Sequence, residues 1–329
     1  MKVYRLSLPA ATGLAFVLAA AVGVLSWQPD LDTTTWLAAV ATTALLLAGF
    51  VFWGSGSVVE RLRAWLAVRP ARIVIFPVAL WSLYVFYALG TETATPSNTL
   101  LVALYLAGPF LLLVGGPQSP GARPTWLEPI ALLWLWLPIE IEWLRSTLYV
   151  PGLRLHYVLG QLLGVNLALA AFALWRRLPG IGYRCEWRPD AFRTVAISFL
   201  QFATVAIPLG LGIGFIRYSY SAEKWREVPL ALSTTFLFTA LPEELLFRGL
   251  IQNWLELRTR NRRTGLLLAA LIFGAAHLNN GPPYPNWHYF LMASIAGVFY
   301  GRAWQRTGSL LASALTHTLV NTAWGLFFH

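Results

Sequence analysis

Eleven long apolar stretches recur along this 329-residue chain, with only short polar connections between them. They fall near 7–27, 35–54, 73–90, 99–116, 127–144, 157–175, 194–216, 229–252, 265–279, 288–304 and 309–328. A helical bilayer span needs about 20 apolar residues. Inside lipid, each spanning backbone must satisfy its own polar groups, which leaves only helices or closed barrels. The stretches are continuously apolar and too long for barrel strands, so the expected fold is all-α: a polytopic transmembrane helical bundle of about eleven spans. The connections are too short for a sizeable soluble domain, which excludes a soluble nucleotide-binding enzyme. Cys185, the one cysteine, excludes a disulfide scaffold.

The basic residues are distributed unevenly. With the amino terminus in the cytoplasm and the carboxy terminus outside, 18 of the 24 Lys and Arg fall on the inner side. Arg145, Arg154, Arg217, Lys224 and Arg226 fall outside, and Arg248 lies within a span. This is the positive-inside pattern. It accounts for the formal charge of +10 as an orientation signal with attraction to the lipid bilayer surface, and no nucleic acid partner is needed. Only two of the 24 basic residues are Lys, a usage that suggests a GC-rich bacterial genome, and the expected location is the bacterial plasma membrane. Lys2, Arg5 and the small residues Ala19 to Ala21 would also suit a cleaved signal, but the ten stretches that follow favour a retained first span. The basic segment Arg176 to Arg193, broken by Pro179, Gly180, Gly182 and Pro189, divides an amino-terminal accessory module (1–193, six spans) from a core (194–329, five spans).

An ionisable side chain near the bilayer centre costs roughly 2.5–3.5 kcal/mol on insertion scales, so each one calls for a partner or a function. The carboxy-terminal block concentrates such residues: Glu243, Glu244 and Arg248, then His277, then His317 with Asn321. Glu244 and Arg248 are four apart on one helix face and can neutralise each other. Glu243 is turned about 100° away and is left facing another helix. Pro242 removes a backbone donor, so locally unwound backbone that admits water to Glu243 is expected here. Phe273 shares a helix face with His277, and Gly274 to Ala276 permit close helix approach. Counted along the chain at about 1.5 Å per residue from the nearest cytoplasmic arginine, Glu243, His277 and Asn321 stand roughly 21–22 Å away and His317 roughly 16 Å, which compares their levels rather than giving a depth. Three helices thus bring polar groups to a similar level.

A carboxylate with a histidine can position a water and take its proton. A second histidine with a carboxamide supplies donors for a developing oxyanion. Together they suit amide hydrolysis by water, since neither Cys185 nor Ser313 has sequence support as a nucleophile. Glu243, His277 and His317 could also ligate zinc. That alternative is disfavoured, because no His-Glu-x-x-His pairing occurs and Asn321 fits an oxyanion hole better. No cofactor is therefore expected. A proton-coupled transporter using the Glu/His cluster as a relay stays open as a different class of function. Against it, no pair of similarly interrupted segments occurs in the two halves of the chain.

At these residues the sequence resembles the CPBP intramembrane proteases, which include the CAAX prenyl endopeptidases related to the Ras-converting enzyme. Glu243-Glu244 to Arg248, Phe273 to His277, and His317 to Asn321 match that family's three blocks in order, and the likeness covers roughly 194–329. The resemblance implies a glutamate-dependent endopeptidase without a catalytic metal, acting on a membrane-tethered or prenylated protein or peptide. It implies Glu243 as general base with His277 assisting, His317 and Asn321 as the oxyanion hole, and Glu244, Arg248 and Phe273 as supporting residues. The segment Asn279 to Asn286 is expected as an ordered turn that serves as a plain connector between spans, with a short lid as the alternative, and Glu140 and Glu142 beside Arg145 as interfacial charges.

Overall fold

The structure, a computed structural model, describes residues 4–27, 30–116, 123–152 and 155–329. Lys2 and Arg154 of the charge tally lie outside the described residues. The chain forms two compact units that divide at Pro179 and Gly180, inside the basic segment. Among the described residues, apart from two-residue strand segments at Tyr4–Arg5 and Glu186–Trp187, the regular structure is helical.

The amino-terminal unit holds α1 (Leu8–Leu25), α2 (Thr33–Trp53), α3 (Gly56–Val68), α4 (Pro70–Gly90), α5 (Pro96–Val114), α6 (Leu127–Glu140), the single turn α7 (Arg145–Leu148) and α8 (His156–Trp175). Helix starts follow local chemistry. The Asp32 carboxylate accepts the Thr35 N–H, and Thr95 accepts that of Asn98 ahead of Pro96. The most buried helix is α8. Its Asn166 accepts from Trp53 Nε1 at 3.0 Å and donates to the carbonyls of Leu46 and Leu162. Arg176, just past α8, meets Glu128 of α6 at 2.6 Å, with both side chains sealed from solvent. Helix α3 lies in a stretch expected only as a connection. It is amphipathic, burying Leu66 and turning Glu60 and Arg61 outward, while Arg63 donates to the Ala173 carbonyl. Glu142 pairs with Arg145 at 2.6 Å, both half exposed, and Glu140 accepts from Trp136 Nε1.

The carboxy-terminal unit holds α9 (Pro189–Gly212), α10 (Val228–Thr259), α11 (Arg262–Ala275), α12 (Trp287–Thr307) and α13 (Leu310–Phe327). Asn261 accepts the N–H groups of Arg263 and Thr264 to start α11, and Gly308, with φ of 65°, ends α12 where a side chain would be strained. Helices α11 and α12 pack at backbone distance. A Cβ on Gly297 would meet Ala270 Cα at 2.9 Å, and one on Gly274 would meet the Phe290 carbonyl at 2.6 Å. Small residues give this close approach, as expected for helices that lack an aqueous hydrophobic drive.

Helices occupy all eleven expected stretches. Among the described residues, seven of them (α1, α2, α4, α5, α8, α9 and α10) are long and apolar enough to cross a membrane. Helices α6 and α11 have 14 residues each. The other two, α12 and α13, are more polar, and α13 is so because it carries Ser313, Thr316, His317, Thr318 and Asn321. The protein is an all-α polytopic membrane protein.

Candidate active site

Helix α10 carries Pro242 without unwinding. Its turns widen instead, at Phe236–Ala240 and Leu245–Gln252, on either side of Leu241–Glu244. The Leu241 N–H reaches the Phe236 carbonyl, five residues back, and the Asn253 N–H reaches that of Arg248. The expected break is thus replaced by π turns, which take up the bonding pattern that a proline interrupts and which recur at functional sites. Between them, the two adjacent glutamates diverge. Glu243 keeps about a quarter of its side chain exposed, whereas Glu244 is fully buried.

Glu244 is the hub of a buried cluster. Its Oε2 pairs with Arg248 Nε at 3.1 Å and accepts from the Ser313 hydroxyl, and its Oε1 lies 3.0 Å from His317 Nδ1. The expected Glu244–Arg248 pair therefore forms, and it serves a purpose the spacing did not show: it holds His317. Arg248 is also placed over the Phe273 ring at 4.4 Å, in cation–π range, and donates to the Gly297 carbonyl. The Tyr300 ring lies stacked against the His317 imidazole, 4.6 Å between centroids at 16°.

Each histidine has one ring nitrogen committed. A carboxylate can only accept, so His317 Nδ1 donates to Glu244, and the neutral ring then accepts at Nε2. Asn321 Nδ2 lies 3.2 Å from that Nε2, and Glu243 Oε2 lies 4.0 Å from it. His277 Nδ1 is 2.8 Å from the Phe273 carbonyl, which likewise makes it the donor and leaves Nε2 as the acceptor. The His277 ring packs between Phe273 (4.6 Å) and Tyr289 (5.0 Å). His277 sits just past the end of α11, in a turn fixed by Asn286. The Asn286 amide donates to the carbonyls of Asn280 and Gly281, its N–H donates to that of Leu278, and its side-chain oxygen accepts the Tyr289 N–H to start α12. The 279–286 segment is thus an ordered turn.

Glu243, His277, His317 and Asn321 line one cavity of about 230 Å³. Phe273 joins them in the lining, whereas Glu244 and Arg248 lie behind His317. The remaining walls are mainly apolar, from α9, α12 and the end of α13. Sequence reasoning missed Tyr300, Tyr289 and the bond from Ser313 to Glu244. Tyr289, Met292, Ala293, Ala296 and Tyr300 follow three- and four-residue spacing, the one signal that could have marked this cavity face. Among the described residues, no three His, Cys, Asp or Glu side chains are grouped as metal ligands.

Residues 225–323 match the model of a family described as type II CAAX prenyl endopeptidase Rce1-like. That stretch contains all three blocks, from Glu243 to Asn321. The chain is also 30% identical, over 172 residues, to a protein of Escherichia coli described as an uncharacterized 24.3 kDa protein; the alignment covers 49% of this chain and 75% of that relative. No solved structure matches. The chain belongs to the Rce1-like family of CAAX-type intramembrane proteases.

Proposed function

We propose that this protein is a glutamate-dependent intramembrane endopeptidase that hydrolyses a peptide bond of a membrane-anchored protein or peptide. One observation carries the reading: a carboxylate, two imidazoles and a carboxamide surround a single cavity, and each imidazole has its Nδ1 already committed. Glu243, the more accessible glutamate, takes a proton from a water as the water oxygen adds to the carbonyl carbon. His277, accepting at Nε2, holds that water. The carbonyl oxygen gains negative charge. Asn321 has a second N–H beyond the one near His317, and it serves as an oxyanion donor. His317 donates there only when its Nε2 is also protonated, and the Glu244 carboxylate balances that charge. Glu243 returns the proton to the amide nitrogen as the C–N bond breaks, giving a carboxylate and an amine.

The Ser313 hydroxyl is engaged by Glu244, which supports water as the attacking group. The chemistry proposed needs no metal. The amino-terminal unit is read as an accessory module that selects substrates. The test is to purify Glu243→Gln from membranes, identify the peptides that co-purify, and offer them to the unaltered protein. Cleavage of those peptides at one defined bond is the expected result. Peptides that remain intact, with proton-coupled solute uptake in proteoliposomes, would replace the reading with a carrier.

A further inference from the structure

We infer that Tyr289 and Tyr300 are positioning residues for the two cavity histidines: each lays its ring against one imidazole and stops that imidazole from turning its Nε2 out of place. Both lie on α12, a helix that carries none of the three motif blocks. The inference rests on the endopeptidase reading above, in which the Nε2 atoms of His277 and His317 serve the water and the developing oxyanion.

The Cβ–Cγ torsion of a histidine is intrinsically soft, and a hydrogen bond at Nδ1 holds the ring at one edge only. A flat neighbour against the imidazole face blocks the remaining rotation. His317 has that neighbour in Tyr300, with centroids 4.6 Å apart and planes 16° from parallel. His277 has it in Tyr289, at 5.0 Å and 33°. Both separations lie where aromatic pairs attract. The two tyrosines stand eleven residues apart, about three helical turns, so one face of α12 serves both histidines.

Each tyrosine is itself held. Tyr300 is buried, and its carbonyl accepts at 2.8 Å from the Ser313 hydroxyl, the same hydroxyl that bonds Glu244. One serine thus ties the backbone behind the stacking ring to the carboxylate that holds Nδ1 of His317. Tyr289 is backed by Trp324, whose ring lies 5.8 Å away at 29°, and Phe215 meets it edge-on at 5.3 Å. The backbone contact of α12 with α11 at Gly274 and Gly297 sets both rings in register with the helix that leads to His277.

Two other uses of a cavity tyrosine give different kinetics. A ring that only contacts bound substrate raises KM when removed and spares kcat, whereas a hydroxyl that donates in the reaction is lost in a phenylalanine variant. Positioning lowers kcat, spares KM and needs the ring alone.

The test measures kcat and KM per folded molecule on the peptides captured by Glu243→Gln. Tyr289→Leu and Tyr300→Leu should each lower kcat by about tenfold or more, toward the roughly 10²-fold that a small misplacement of reacting groups costs, with KM changed by less than about threefold. Tyr289→Phe and Tyr300→Phe should restore kcat to within about threefold of the unaltered protein. A methionine variant, which fills the space without a flat face, replaces any leucine variant that does not fold. A smaller fall in kcat, a loss confined to KM, or phenylalanine variants as slow as the leucine ones would overturn the inference. The phenylalanine variants decide against it on their own if they are slow. Leucine variants at the full rate beside an inactive Glu243→Gln protein sink only the positioning role, whereas cleavage by Glu243→Gln at the unaltered rate sinks the endopeptidase reading itself.

Discussion

Both units bury polar side chains, but they use them differently. In the amino-terminal unit, Asn166 places both amide N–H groups on carbonyls and its oxygen on Trp53, and Glu128 meets Arg176 with neither side chain reaching solvent. These groups tie α2, α6 and α8 together. In the carboxy-terminal unit, Glu244, Arg248 and Ser313 are bound in the same self-contained way, but they hold an imidazole that faces a cavity alongside Glu243, His277 and Asn321. Burial of a polar group in a membrane protein is therefore not by itself a mark of chemistry. What separates the two cases is whether bonding capacity remains directed at a space that a water and a peptide can share.

Substitutions can break or sharpen that contrast. The largest effect is expected for Glu244→Ala, which strands Arg248 and releases His317. Loss of one partner of a buried pair costs about 3–5 kcal/mol, so both thermal stability and cleavage should collapse. Glu128→Ala should cost stability on the same scale, yet the fraction that stays folded should cleave at the unaltered rate, measured as activity per folded molecule. Asn321→Ala should leave the melting temperature nearly unchanged while lowering kcat by about 10²–10³, as for loss of one oxyanion donor. Asn166→Leu should act in the opposite sense. Interhelical hydrogen bonds in membranes average about 0.6 kcal/mol, so a small loss of stability with unchanged kcat and KM is expected. The smallest effect is expected from a chelator, which should leave the cleavage rate untouched. Activity lost to chelation and restored by zinc would transfer Glu243, His277 and His317 to a metal site.

Much of this was legible in the sequence, because much of it is local. Apolar length fixes where helices lie, and four-residue spacing put Glu244 beside Arg248, Phe273 against His277, and Asn321 beside His317. The bond from Glu244 to His317 spans 73 residues and that to Ser313 spans 69, and no spacing rule reaches across helices that distant in sequence. The π turns around Pro242 were hidden for another reason: a proline states which hydrogen bond is lost, while the packing around it decides whether the helix breaks or widens. Helix α3 was missed because its charges interrupt the apolar pattern used to find spans, although an amphipathic helix needs no such run.

The central claim is that Glu243 does chemistry and Glu244 does positioning. Its most direct test is the cleavage rate of purified Glu243→Gln in proteoliposomes, set beside its melting temperature. An unaltered melting temperature with cleavage abolished is the expected result; a folded Glu243→Gln protein that cuts the same bond at the unaltered rate would contradict a chemical role for Glu243.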